Sequence, residues 1–241
     1  MSDQSIPGAF YTRWAGVYDR IASDLPGVAR MRSAFLDLLS PSRGDVVVEM
    51  GCGTGANFPW LRDRVGPEGT VVGVDLSEGV LERARARVRR NRWENVHVVR
   101  GDATRPPFVG GPTAVPSGSL GLGAGEVDVV LATFVVGMLP DPGGAVQAWG
   151  QLAGDGGRLG LCNLARSTTP LGRVCNPAFA ALVRASSPPG GKGRTRGAAQ
   201  LLDERVLEGH RALHDVCDGV VSRRAFEGFV RMSAGTVRTE R

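Results

Sequence analysis

Val46-Val47-Val48-Glu49-Met50-Gly51-Cys52-Gly53-Thr54-Gly55-Ala56-Asn57 joins an apolar run to an acid and a glycine-spaced turn. Val46–Val48 is β-branched and continuously apolar, as a strand buried on both faces must be. Glycines at 51, 53 and 55 allow a tight strand-to-helix turn and a close approach of ligand to backbone. A nucleotide-like molecule resting on that turn is the expectation. The question is which one.

Gly51-x-Gly53-x-x-Ala56 fits a loose dinucleotide fingerprint. Asp75, about 20 positions further on, fits a carboxylate that holds ribose hydroxyls. Glu49 argues the other way. In a dinucleotide site this turn packs on a pyrophosphate, and a carboxylate just before the first glycine would face like charge in a partly desolvated place. S-adenosylmethionine (SAM) has no phosphate; it carries a sulfonium and an α-ammonium, both of which a carboxylate favours. Val96-His97-Val98-Val99 reads as a further strand and runs into Gly101-Asp102-Ala103. An acid at that sheet edge can accept a hydrogen bond from an adenine amino group.

Taken together, Glu49-Met50-Gly51-Cys52-Gly53-Thr54-Gly55, then Val74-Asp75-Leu76-Ser77, then Gly101-Asp102-Ala103 resemble the class I SAM-dependent methyltransferases. The nearest flavour is the small-molecule group that includes ubiquinone/menaquinone C-methyltransferases and phospholipid N-methyltransferases. The resemblance covers roughly residues 10–165, with the motifs in order and correctly spaced. It implies a Rossmann-like three-layer α/β sandwich. The sheet would have seven mostly parallel strands in order 3-2-1-4-5-7-6, closed by a C-terminal antiparallel hairpin.

The chain of 241 residues suits one domain able to bury a sizeable core. Residues 1–40 are expected to form a helical cover, 44–165 the SAM-binding core, and 166–241 the substrate cover and final strands. No apolar run reaches the roughly 20 residues needed to span a bilayer, and Met1–Gly8 lacks a signal-peptide pattern. A cytoplasmic protein without a transmembrane segment is expected, with peripheral membrane contact and oligomeric state left open. Cys52, Cys162, Cys175 and Cys217 form no C-x-x-C pair, so reduced structural cysteines are expected and no metal site. Cys162 lacks the neighbours of an RNA-cytosine methylation nucleophile. The net charge is +5, and Lys192 is the only lysine. Arg83, Arg85, Arg87, Arg89, Arg90 and Arg92 spread around a helix whose Leu81, Ala84 and Val88 form an apolar stripe. A solvated helix face explains them better than a phosphate-binding patch.

Residues 9–40 read as helical, with a second helix over Val28–Leu39. Strands are expected at Val46–Val48, Thr70–Asp75, Val96–Arg100, Val127–Thr133 and Gly157–Asn163. Helices are expected over Asn57–Val65, Glu78–Arg90, Gly143–Leu152 and Ala198–Val216. Ser77 is a candidate N-cap. Val220-Val221 belongs to at most a short strand, and Gly228–Ser233 reads as a more convincing one. Pro106–Gly125 and Ser186–Ala198 are Gly/Pro-rich. The first is expected to be a flexible insertion, the second a mobile lid or a plain loop.

Methyl transfer from a sulfonium is an in-line displacement that needs alignment and exclusion of water, with a general base only where the acceptor must lose a proton. No catalytic residue is assigned. The resemblance implies that Gly51, Cys52 and Gly53 border the amino-acid end of SAM, with Glu49 supplying negative charge there. Asp75 would take the ribose hydroxyls, Leu76 the adenine face, and Asp102 and Ala103 the adenine edge. Thr133 would lie near the sulfonium. Each has a plainer alternative: Glu49 or Asp102 as a cap on a neighbouring helix, and Thr133 as a strand end. Tyr11 and Tyr18 lie in a segment similar to one that covers the cofactor in this group; Tyr18 is the better candidate, with core packing as the alternative. His210 and His214 stand at i, i+4, a spacing that can bind metal, but no third ligand is evident and an exposed helix face is expected. His97 reads as structural.

After the fourth strand, Ala132-Thr133-Phe134-Val135-Val136-Gly137-Met138-Leu139-Pro140 lacks the Asn/Asp-Pro-Pro-Tyr box of exocyclic-amine methylators. Phe134, Val135, Met138 and Leu139 would supply an apolar floor, or pack in the core. The leading expectation is a SAM-dependent methyltransferase acting on a small, hydrophobic acceptor such as a quinone precursor or lipid. The alternatives are an RNA methyltransferase, an NAD(P)-dependent oxidoreductase, and a non-catalytic SAM-fold binding protein. The oxidoreductase reading lacks the Tyr-x-x-x-Lys pair of short-chain dehydrogenases, and an appended RNA-binding domain is not expected within these 241 residues.

Overall fold

The computed structural model describes residues 27–106, 126–185 and 197–238. Most of the two Gly/Pro-rich stretches, and both Tyr11 and Tyr18, lie outside the described residues. Five short strands carry the parallel part of the sheet: Val46–Met50 (β1), Thr70–Asp75 (β2), Val96–Arg100 (β3), Val129–Thr133 (β4) and Arg158–Leu164 (β5). Their valine-rich centres are buried on both faces, which is why they read as continuous apolar runs rather than as alternating ones. Cys217–Ala225 (β6) and Val230–Val237 (β7) complete the sheet. The strand order is β3-β2-β1-β4-β5-β7-β6. Strands β1 to β5 pair in parallel, whereas β7 runs antiparallel to β5 and β6 antiparallel to β7.

The pleat assigns successive residues to opposite faces. Val47, Val71, Val129 and Leu131 pack against Val28–Leu39 (α1), Phe58–Val65 (α2) and Glu78–Asn91 (α3). Val48, Met50, Val72, Val130, Leu159 and Leu161 pack on the other face, against Pro142–Ala153 (α4) and Ala198–Val216 (α6). Gly73 lets α2 settle close to the sheet, since a Cβ there would lie 2.4 Å from the Phe58 ring. Helix α4 starts at Asp141, whose carboxylate accepts from the Gly144 N–H at 2.8 Å, with Pro142 in the first turn. On α3, Leu81 and Ala84 are buried and Arg83, Arg89 and Arg90 are exposed, in keeping with a solvated arginine face.

Two elements differ from the sequence expectation. Strand β6 spans nine residues rather than a short piece around Val220-Val221. It is an edge strand, and Asp218, Gly219, Ser222, Arg223 and Arg224 face solvent, so it carries no apolar pattern; pairing with β7, across a bulge between Asp218 and Val221, makes it a strand. Pro170–Ala185 (α5) was not expected as a helix. Its apolar residues Leu171, Val174 and Leu182 are exposed rather than packed on the sheet.

The sheet order reverses beside β1, whose neighbours are β2 on one side and β4 on the other. The carboxyl ends of these strands are level: Met50 pairs with Val74 and with Ala132. A crevice at such a reversal, outside the carboxyl ends, is where open α/β sheets take ligands.

Candidate functional site

The alternation that puts Val47 in the core beneath α2 also turns Glu49 to that face, where it is 2% exposed. Asn57, at the start of α2, reaches it. The Asn57 side chain makes no capping bond to its own helix. Its Nδ2 donates to Glu49 Oε1 and, at 3.0 Å, to Thr133 Oγ1 at the end of β4. Its Oδ1 accepts from Nη1 of Arg32, which arrives from α1 and is 5% exposed. One amide therefore ties α1, β1, α2 and β4 together. Glu49 Oε2, by contrast, is buried without a hydrogen-bond partner. Burial pushes the Glu49 carboxyl up to about 7; the Asn57 hydrogen bond and the Arg32 charge pull it down, and the Asp75 charge adds to the rise. A buried, unsatisfied carboxylate oxygen at a strand end is costly and calls for a ligand that supplies its partner.

The glycine turn stands over this pair. Gly51, Gly53 and Gly55 all have positive φ. Two of them differ in what surrounds them. A Cβ on Gly51 would lie 2.3 Å from Val135 Cγ2, whereas one on Gly53 would meet nothing within 4 Å. The backbone at Gly53 thus borders open space. Its N–H donates to Asp75 Oδ2 at 2.9 Å, and the Ser77 N–H donates to Asp75 Oδ1 at 2.9 Å. Asp75 at the end of β2 is thereby locked against the turn. Burial raises its carboxyl from the ordinary value while these backbone donors hold it down. Leu76 beside it is 61% exposed, an apolar side chain left at the rim of the crevice.

Cys52 packs inward; burial, and then the Glu49 and Asp75 charges, push its thiol well above the ordinary range, so small size rather than reactivity explains it. Cys162 is buried and pushed up to about 12, unlike an activated nucleophile. Cys175 is exposed, so the expectation of structural cysteines does not extend to it. Asp102 is exposed, and its Oδ1 accepts from the Thr104 N–H at 2.9 Å and hydroxyl at 2.8 Å, shaping the loop after β3. The Ala103 carbonyl accepts from the Trp149 indole N–H at 2.7 Å, which fixes that loop to α4. Phe134, next to Thr133, sits at φ 63° with its N–H donating to the Cys162 carbonyl at 2.7 Å. A bulky residue in that region carries strain of roughly 1–3 kcal/mol, and such strain clusters at ligand sites. Of the expected apolar floor, Val135 and Leu139 belong to the core, while Phe134 and Met138 stay partly exposed.

The structure brings Glu49, Gly51, Cys52, Gly53, Asp75 and Thr133 together at the carboxyl ends of β1, β2 and β4, with Leu76 at the rim. Asp102 and Ala103 stand on the loop after β3, next to β2. Tyr18 lies outside the described residues. His210 departs from the expected exposed face: it points inward, with Nδ1 2.9 Å from Ser233 Oγ and Nε2 3.4 Å from Asn163 Nδ2. Burial, with the Arg231 and His214 charges, lowers it to about 4. His214 is exposed, so the two rings do not converge. Arg32 and Asn57 escaped the sequence reading. The available signal was Arg32 inside the apolar stripe Val28, Met31, Phe35, Leu36, Leu39, where an unpartnered charge would not be tolerated.

Residues 48–159 match a family model described as a methyltransferase domain. Nocamycin O-methyltransferase of Saccharothrix syringae is 32% identical over 151 residues, covering 63% of this chain and 48% of that protein. A demethylmenaquinone methyltransferase of Listeria welshimeri is 31% identical over 93 residues, covering 38% of this chain and 39% of that protein. The chain thus matches half or less of the length of these relatives. A putative S-adenosyl-L-methionine-dependent methyltransferase of Methanococcus maripaludis superposes with a TM-score of 0.62 over 100% of this chain and 98% of that one. At 16% identity this likeness concerns the fold.

Proposed function

We propose that this chain, which has the class I SAM-dependent methyltransferase fold and carries a methyltransferase domain over residues 48–159, transfers a methyl group from SAM to a small, hydrophobic acceptor. The observation that carries this is the unpartnered, buried Glu49 Oε2 beneath a glycine turn that borders open space at Gly53. A cation fits that carboxylate and a phosphate does not. The Gly53 N–H, which a dinucleotide would want for its pyrophosphate, is already given to Asp75. Both features favour SAM over NAD.

When bound, SAM supplies a methyl group activated by the sulfonium, ready for in-line displacement. The protein's share is to bind, orient and keep water out. Glu49 holds the α-ammonium end. Asp75, fixed by two backbone donors, retains lone pairs for the ribose hydroxyls. Leu76 covers the adenine, and the Asp102–Ala103 loop, held by Trp149, borders its edge. Thr133, oriented by Asn57, stands where the sulfonium would lie. Tyr18 is kept as a cover residue. We keep the division into a cover at 1–40, a cofactor core at 44–165, and a substrate cover with closing strands at 166–241.

For the acceptor, the partly exposed Phe134 and Met138 after β4 support an apolar molecule. The relatives named for nocamycin and demethylmenaquinone support a small molecule of polyketide or quinone type. No helix among the described residues is long and apolar enough to cross a membrane. Incubating the protein and labelled SAM with cell extract, then fractionating into lipid, RNA and small molecules, tests the assignment. Label in the small-molecule or lipid fraction supports it; label in RNA alone would replace it with RNA methylation.

A further inference from the structure

We propose that the outer face of α5 docks on an anionic lipid surface, its apolar residues entering the headgroup boundary and Arg173 and Arg184 meeting lipid phosphates. Lipid binding stands apart from the methyltransferase reading; the use it would serve, access for a hydrophobic acceptor, rests on that reading.

A surface helix of a soluble domain hides its apolar stripe against the fold and shows its polar side. Helix α5 does the reverse. Of its 16 residues only Gly172 is fully buried. It is held along one line of the helix, at i, i+4 and i+7. Gly172 lies against Ser167 and the Glu227 carbonyl. Asn176 accepts from the Ser167 N–H at 2.9 Å and donates to the Ser167 carbonyl at 3.0 Å. The Phe179 ring centroid is 5.2 Å from that of Phe229. Leu171, Val174, Ala178 and Leu182 follow i, i+3, i+7 and i+11 on another face, and all are exposed, Leu171 by 65% and Val174 by 76%. Pro177 and Ala181, also exposed, extend this face to the line that carries Arg173 and Arg184. Arginines at the border of an apolar face can bury their stems and keep their heads among phosphates.

Charge selects lipid among the occupants such a face could have. The sequence from Ala165 to Leu202 has no acid and six basic residues, more than the chain's whole net charge of +5. The excess positive charge therefore belongs to the part of the chain around α5, and the remainder is slightly acidic. Arg223 and Arg224, exposed on the edge strand β6, add to it, and Arg224 Nη1 donates at 2.9 Å to Thr168 Oγ1 just ahead of the helix. Against this stand Asp203 of α6, which is ion-paired with Arg166, and the exposed Glu227. A second copy fits less well. The face is about 24 Å long and about 10 Å wide, well short of the roughly 800 Å² per partner of a stable interface. Helix α5 follows β5 after five residues, so it starts at the carboxyl edge of the sheet, the edge that holds Glu49, Asp75 and Thr133. Docking through α5 holds that edge close to the layer in which a hydrophobic acceptor dissolves.

Co-sedimentation tests this. The whole chain, without SAM, is mixed with sucrose-loaded vesicles of phosphatidylcholine alone or of phosphatidylcholine and phosphatidylglycerol in equal parts. Binding is expected to the anionic vesicles and not to the neutral ones, and it should weaken as salt rises. Arg173→Gln combined with Arg184→Gln should weaken it roughly 30-fold, at about fivefold for each basic residue at an anionic surface. Leu171→Gln combined with Val174→Gln should weaken it at least about tenfold, while moving the melting temperature by less than about 2 °C, as for exposed positions. Wild-type protein indifferent to lipid charge would overturn the inference, whatever the variants do. So would undiminished binding by the Leu171/Val174 variant. A melting temperature several degrees lower in that variant would mean that the chain itself covers this face. A wild-type dimer in sedimentation velocity that the variant abolishes would mean that a second copy does. Either result replaces the lipid. Failure to bind vesicles leaves the methyltransferase reading standing, and failure to bind S-adenosylhomocysteine leaves the lipid surface standing.

Discussion

Replacing Glu49 by Gln should stabilise the protein at alkaline pH while weakening, but not abolishing, cofactor binding. The substitution keeps the side chain's size and leaves a carbonyl to accept from Asn57 Nδ2, but it removes the buried charge. In the folded chain burial raises the Glu49 carboxyl from its ordinary 4.5 to about 7. The folded state therefore keeps a proton that the unfolded chain releases. The stability this gives is complete below about pH 4.5 and is lost as pH rises through 7. At about 1.4 kcal/mol per pH unit, the loss amounts to roughly 3 kcal/mol. Wild-type protein bears that cost in full at pH 8, and Glu49→Gln does not bear it. Urea denaturation followed by tryptophan fluorescence, at intervals from pH 4.5 to 8, measures the difference. The variant should gain on the wild type steadily across that window, by up to about 3 kcal/mol, and then level off. A pH-independent difference, or a variant less stable than wild type at pH 8, would refute the account of Glu49 as a buried charge awaiting a ligand.

Four further outcomes follow from the same geometry. Asp75→Ala should abolish binding of SAM while leaving the fold intact by circular dichroism; unchanged affinity would refute the ribose assignment. Gly53→Ala should cost the fold only the roughly 1–2 kcal/mol of a left-handed residue but weaken S-adenosylhomocysteine binding at least about tenfold, since its methyl enters the open space. Gly51→Ala should instead drive its methyl into Val135, so it should lower the melting temperature by more than Gly53→Ala does. At pH 6.5 the ligand's ammonium is already formed while Glu49 is mostly protonated, so binding should release about three quarters of a proton. Calorimetry in two buffers of different ionisation enthalpy reads that number, and Glu49→Gln should reduce it to near zero.

The parallel half of the sheet was legible because its strands are short valine runs with clear stops. β2 and β3 fall where the residues place them, as do α1 and α6. The order β3-β2-β1-β4-β5-β7-β6 was not legible from periodicity; it came with the family resemblance, and the sheet has it. β6 was hidden because an exposed edge strand carries no apolar alternation, and α5 because its apolar residues are not paid for by burial against the sheet. The acids at 49, 75 and 102 could be read because each ends a strand. Asn57 could not, since an asparagine opening a helix reads as a cap, and here its amide serves Glu49, Thr133 and Arg32 instead. His210 faces inward because Ser233 and Asn163 lie far away in sequence, on strands that only the folded sheet brings beneath α6.

The central claim is that the turn at residues 51–55 and the buried Glu49 form a site for SAM rather than for a dinucleotide. Parallel calorimetric titrations of the wild-type protein with S-adenosylhomocysteine and with NAD test it most directly. The account predicts saturable one-to-one binding of S-adenosylhomocysteine and no heat of binding from NAD. Saturable binding of NAD with none of S-adenosylhomocysteine would contradict it.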